Sequence, residues 1–215
     1  MLALRTPTGQ LPHSPRKQDH HGEFIPLAVR KLSDSCWRAT FDNPSLNLID
    51  PETIVALRQL MDTLEADPAV KAVVFDSADE EYFIAHFDVT RGGDLPGPGP
   101  TGLPAWYDLA TRLARAPFVT IAEIRGRARG LGSEFALACD LRFASRERAL
   151  FGQPEVGTGL VPGGGSIEML SARSHCEPTA QQQVRKVRLV RAGGAVLRRG
   201  RCGRQGRRSL GGLGG

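Results

Sequence analysis

One stretch limits the folds open to this chain more than any other. Phe118 to Ile124 is a short apolar run that reads as a buried strand. It breaks at Gly126-Arg127-Ala128-Arg129-Gly130-Leu131-Gly132-Ser133-Glu134, a glycine-bearing turn, and Glu134 to Cys139 then reads as helix. A strand that turns through glycine into a helix leaves backbone N–H groups and the positive end of the helix dipole at the junction. Such a junction suits an anion, or an oxygen that gains negative charge during a reaction.

The rest of the chain repeats this alternation. Residues 24–41 alternate loosely in hydropathy and predict two short strands. Asp50-Pro51 predicts a helix start, with an N-cap and a proline at the first helical position. Ile54, Leu57, Leu60, Met61 and Leu64 then recur on one helical face, until Asp67-Pro68. Val70 to Phe75 predicts a buried strand, and Gly92 to Pro104 a loop rich in glycine and proline. Trp106, Leu109 and Leu113 mark a helix ending before Pro117; Leu141–Ala144 and Ala149–Phe151 predict further strands. Strands alternating with helices predict an α/β layer structure with crossover connections, its core between residues 23 and 170.

Charge divides the chain at the same place. The 215 residues carry a net charge of +5, but residues 1–170 hold 17 basic and 22 acidic groups. Residues 171–215 hold 11 basic groups and one acid, Glu177, with glycine throughout and no sustained apolar period. That segment predicts an Arg/Gly-rich disordered tail, and residues 1–22 a disordered leader. The tail could attract nucleic acid electrostatically, but no aromatic residue follows Phe151, so specific nucleic-acid binding is not expected. No apolar run has the ~18–20 residues of a membrane-spanning helix, so no membrane partner is expected. The four cysteines are scattered, without a CxxC pair or a histidine at zinc-ligand spacing, so no metal is expected. With no apolar signal segment, a reducing, cytoplasmic location is expected.

Two glutamates stand at glycine-bearing turns. Glu134 follows the first; Glu155 belongs to Phe151-Gly152-Gln153-Pro154-Glu155, with Val161-Pro162-Gly163-Gly164-Gly165 beyond it. Two carboxylates beside a developing oxyanion could share acid and base duties on a water molecule. Each glutamate alone is more readily a dipole-stabilising residue. The first turn also fails the dinucleotide fingerprint, since Phe135 stands where the third glycine belongs.

The segments IAEIRGRARGLGSEFALACDLRFAS and FGQPEVGTGLVPGGG together resemble the signature of the crotonase, or enoyl-CoA hydratase/isomerase, superfamily. VKAVVFDSADEEYFIAHFDV and FDNPSLNLIDPETIVALRQL are similar to its upstream segments, and the resemblance covers residues 24–170. It implies a spiral of ββα repeats and an acyl-CoA thioester substrate whose coenzyme A is part of the substrate, with no separate cofactor. It implies two backbone N–H donors for the thioester oxygen, at Phe87 and Leu131, and two catalytic carboxylates, Glu134 and Glu155. It places Gly163 where a backbone N–H positions water, and Ala85, His86 and Asp88 along the substrate. His86 stands where the family usually has glycine. The implied activity is hydration of a 2-enoyl-CoA; isomerisation, or an inactive truncated member, are the alternatives. Family members form trimers or hexamers through C-terminal helices. No such helical region is recognisable in residues 171–215, which leaves the family's mode of assembly in doubt for this chain.

Overall fold

Asp50 opens the first helix as the sequence predicts. Its Oδ1 accepts hydrogen bonds from the Thr53 amide at 2.8 Å and the Thr53 hydroxyl at 2.6 Å, and Pro51 follows in the first turn. The computed structural model describes residues 26–44 and 46–165, without the side chains of Val156 and Thr158. The expected leader and tail lie outside these residues. Helix α1 (Pro51–Ala66) connects β2 (Cys36–Phe41), which forms a hairpin with β1 (Leu27–Ser33), to β3 (Ala72–Ser77). In β2, Trp37, Ala39 and Phe41 are buried while the residues between them are partly exposed. That period of two sets which face meets the core.

From β3 onward a single unit recurs. β3 is followed by β4 (Tyr82–Ile84) and, after a 3-10 turn, by α2 (Ala105–Arg115). β5 (Val119–Ile124) is followed by β6 (Arg127–Arg129) and α3 (Leu131–Ala138). β7 (Leu141–Ala144) is followed by β8 (Leu150–Gly152) and a 3-10 turn, Pro154–Thr158. The first strand of each unit joins a five-stranded sheet of order β1-β2-β3-β5-β7, and the second joins a three-stranded sheet of order β4-β6-β8. Apart from the β1–β2 hairpin, every pairing is parallel. The chain is thus a spiral of ββα turns, as the resemblance implies.

The layers meet on aromatic side chains. The Phe135 ring of α3 lies 5.3 Å from Phe41 and 5.0 Å from Phe75, both edge-on, and within 6.4 Å of Phe83 and Trp106. All four phenylalanines are essentially inaccessible to solvent. Edge-to-face pairs of this kind add about 0.5–1.5 kcal/mol each beyond their burial. The helix carrying Leu131 and Glu134 is therefore fixed through the centre of the core.

Three details differ from the sequence reading. The expected turn from Gly126 to Gly132 contains a strand, β6, and α3 begins at Leu131, ahead of the expected Glu134. A 3-10 turn, Val89–Asp94, runs into the expected loop. The remainder of that loop is pinned down by Asp108, a fully buried carboxylate that accepts from the Thr101 amide at 3.0 Å and the Thr101 hydroxyl at 2.8 Å.

Candidate active site

The C-terminal ends of β4, β6 and β8 point the same way because the small sheet is parallel, and each runs directly into a segment of interest. The Gly130 amide donates to the Gly152 carbonyl at 2.9 Å, carrying the β6–β8 pairing one step past the strands. Gly130 has φ +50°, in the region that favours glycine. A Cβ there would lie 2.9 Å from Glu155 Oε1 and 3.5 Å from the His86 Cβ. The backbone at Gly130, φ +50° and ψ −124°, favours glycine, and the two contacts show that the three segments close on one another there.

The two candidate oxyanion donors lie on either side of this contact. The first helical bond of α3 runs from the Glu134 amide to the Gly130 carbonyl, 3.1 Å, so the Leu131 N–H precedes it and has no acceptor within the helix. Phe87 forms an isolated parallel bridge with Ile49. The Ile49 amide donates to His86 O at 3.0 Å, and Ile49 O accepts from the Asp88 amide at 2.9 Å. Ile49 therefore engages the peptides flanking Phe87, and the Phe87 N–H turns to the opposite side. A Cβ at Gly132 would stand 2.3 Å from Ile84 O, so the first turn of α3 abuts the end of β4.

The two carboxylates approach from different elements. Glu134 is 2% exposed, and its Oε1 accepts from the Gly164 amide at 3.0 Å. Gly164 is itself clamped: its carbonyl accepts from Trp106 Nε1 at 2.9 Å, and the neighbouring Gly163 carbonyl accepts from the Tyr107 hydroxyl. A Cβ at Gly164 would lie 1.7 Å from Glu134 Oε2, so the backbone there rests directly on the carboxylate. Glu155 sits, half-buried, in the first turn of the 3-10 segment that follows β8.

The remaining expected residues divide. Ala85 is buried, and its amide is shared between the Leu46 and Asn47 carbonyls at 3.2 and 3.3 Å. His86 turns Nδ1 onto the Phe87 carbonyl at 2.7 Å. Asp88 caps the 3-10 turn, accepting from the Thr90 hydroxyl at 2.6 Å and the Thr90 amide at 3.1 Å. The Thr90 hydroxyl bond holds its carboxyl below the usual carboxylate range. Gly163 is exposed, and it is the amide of Gly164 that reaches Glu134.

Several supporting residues were not evident from the sequence. Asn47, at φ +49°, accepts from the Asn43 amide at 2.7 Å and donates to the Ser77 hydroxyl at 2.6 Å, bracing the loop that bears Ile49. Asparagine tolerates that backbone region, a signal available in the residue type alone. Trp106 reads as an ordinary helix residue, and only the fold brings it and Tyr107 to the 163–164 segment. Neither amide atom of buried Gln153 has a partner among the described residues, so it keeps hydrogen-bonding capacity two positions before Glu155. Among the described residues, no three His, Cys, Asp or Glu side chains are placed to hold a metal, and no helix is long and apolar enough to cross a membrane.

Stacked ββα turns with two glutamates around a helix N-terminus define a crotonase-type α/β protein. The sequence profile of the enoyl-CoA hydratase/isomerase family matches residues 32–193, past the point where the resemblance visible by inspection stops. The chain belongs to that family. Among solved structures, a candidate enoyl-CoA hydratase from Streptomyces avermitilis is 35% identical with a TM-score of 0.65, over 69% of this chain and 56% of that one. DspI of Pseudomonas aeruginosa is 28% identical with a TM-score of 0.60, over 74% and 63%. An enoyl-CoA hydratase from Geobacillus kaustophilus is 27% identical with a TM-score of 0.61, over 78% and 65%. The chain spans less than two thirds of the length of each.

Proposed function

We propose that this chain adds water across the double bond of a 2-enoyl-CoA thioester. The observation that carries the reading is the convergence at Gly130, where the residue before Phe87, the residue before Leu131 and the Glu155 carboxylate meet, with Glu134 one helical turn further on. The thioester oxygen takes hydrogen bonds from the N–H groups of Phe87 and Leu131. Glu134 and Glu155 hold a water against the β-carbon. One carboxylate removes a proton as the water oxygen bonds to that carbon. The other, protonated, delivers a proton to the α-carbon as the enolate collapses. The negative charge that passes through the thioester oxygen is met by the two backbone donors, in a setting where losing one costs on the order of 10²–10³ in rate. Coenzyme A arrives as part of the substrate, and the scheme invokes no separate cofactor.

Backbone donors cannot be deleted singly, so the direct test falls on the carboxylates. Glutamine at either position keeps the shape, and at 134 an oxygen for the Gly164 amide, but removes the proton chemistry. Glu134→Gln and Glu155→Gln should each slow the loss of crotonyl-CoA absorbance by about 10²–10⁴-fold, the usual worth of a positioned acid or base. Wild-type rates in either variant would remove that residue from the mechanism. The presence of both carboxylates favours hydration over double-bond migration, which needs one group to shuttle a proton.

A further inference from the structure

The proposed reaction has no use for the His86 imidazole, although the His86 Cβ lies against the position a Gly130 Cβ would occupy. His86 Nδ1 is 2.7 Å from the carbonyl oxygen of Phe87. A carbonyl oxygen only accepts, so Nδ1 carries the hydrogen and Nε2 is left for solvent or ligand. The bond matters because of which peptides it joins. In a trans peptide the C=O and N–H point in opposite directions. The 86–87 peptide is held at its carbonyl by the Ile49 amide, 3.0 Å, and that sets Phe87 N–H pointing away. The 87–88 peptide is held at its N–H by Ile49 O, 2.9 Å. Both attachments come from one residue on one edge, and the bridge to Ile49 is isolated, with no ladder beyond it. The bonds from the Ala85 amide to the Leu46 and Asn47 carbonyls lie along the same 46–49 edge, so the backbone attachments of residues 85–88 to that loop are one-sided. The imidazole supplies a fixed point on the other side, at the Phe87 carbonyl.

We propose that His86 is a positioning residue: its Nδ1–H braces the Phe87 carbonyl and so fixes the direction of the Phe87 N–H at the site. The inference rests on the hydration reading for its use in turnover, and on geometry alone for the brace itself. The working atom is Nδ1. Asparagine places an amide nitrogen near the Nδ1 position, glutamine extends its amide toward Nε2, and alanine reaches neither.

The test compares wild type with His86→Asn, His86→Gln and His86→Ala by two readouts. The first is amide hydrogen exchange at Asp88, with the β3 amides as an internal control for folding. Exchange at Asp88 should quicken in the Ala and Gln variants and stay near wild type in Asn, with β3 protection unchanged. The second is crotonyl-CoA turnover. The Ala and Gln variants should lose about 10- to 100-fold in kcat with little change in KM, the scale on which misplaced groups cost rate, and Asn should recover most of it. Equal exchange at Asp88 in all four proteins overturns the brace. Rescue by Gln and not by Asn also overturns it, because the working atom would then be Nε2. A wild type without turnover, but with the expected exchange pattern, supports the brace and removes the hydration reading instead.

Discussion

The two sheets of this molecule are built to different standards. The five-stranded sheet has strands of four to seven residues, and its face is packed with Phe41, Phe75 and the α3 ring of Phe135. The three-stranded sheet has strands of only three residues, one of them Arg-Ala-Arg with Ala128 alone buried. Yet every candidate donor and carboxylate described above follows a strand of the small sheet. The large sheet supplies cohesive energy; the small one sets the positions of three chain segments relative to one another. Stability and site geometry are thus carried by different parts of one core, with α3 joining them.

That division can be broken or sharpened by substitution. Phe75→Ala in the large sheet should have the greatest effect on stability, a loss of about 3–5 kcal/mol in denaturant unfolding. If folded protein can be collected, its kcat should fall only modestly, since Phe41, Phe83 and Trp106 still hold the Phe135 ring of α3. Gly132→Ala probes the small sheet. Its methyl group would stand 2.3 Å from the Ile84 carbonyl oxygen, a backbone atom that cannot swing aside, so α3 must move away from β4. The unfolding loss should be smaller, about 1–3 kcal/mol for overpacking. The activity loss should exceed that of Phe75→Ala, because Leu131 moves relative to Phe87. The reverse ranking of activities would refute the division of labour.

Asp50→Ala tests the seam between the two. Asp50 caps α1, accepts from the Asn43 amide group at 2.8 Å and adjoins Ile49, which holds the Phe87 segment. Thermal unfolding should show a loss of about 0.5–2 kcal/mol, the worth of an N-cap. Turnover should fall less than for Gly132→Ala. The smallest effect belongs to Glu52. The Arg91 guanidinium, hydrogen-bonded to it at 2.6 and 2.9 Å, draws its carboxyl below the usual range. A carboxyl with a folded pKa below its unfolded one adds stability that is present above the ordinary carboxylate pKa and fades as pH falls through the folded value. Glu52→Gln should therefore slightly flatten the acid side of a melting-temperature series and leave neutral turnover unchanged. The pair is exposed, so a large shift would contradict its placement at the surface.

The same contrast explains what the amino-acid sequence made legible. β2, α1, β3, α2 and β5 announce themselves because Trp37, Leu57, Val73, Leu109 and Ala122 fall on buried faces at the period of their element. β4 and β6 do not: each has three residues, β6 is Arg-Ala-Arg inside a glycine-bearing turn, and neither shows a period of its own. Their strand conformation comes from pairing between Ile84 and Ala128, distant in sequence. Glu134 and Glu155 could be singled out from the glycine turns beside them, and the family resemblance added Phe87 and Leu131. The role of Gly164 could not be read, since it depends on a contact with Glu134 that exists only once α2 clamps the segment through Trp106 and Tyr107.

The most direct test of the central claim follows the atoms. Crotonyl-CoA incubated with the protein in deuterated water, and examined by NMR, should gain a hydroxyl at the β-carbon and one deuteron at the α-carbon, and Glu134→Gln and Glu155→Gln should stop both. Deuterium incorporation or double-bond migration without a new carbon–oxygen bond would contradict hydration, as would an unchanged product in either glutamine variant.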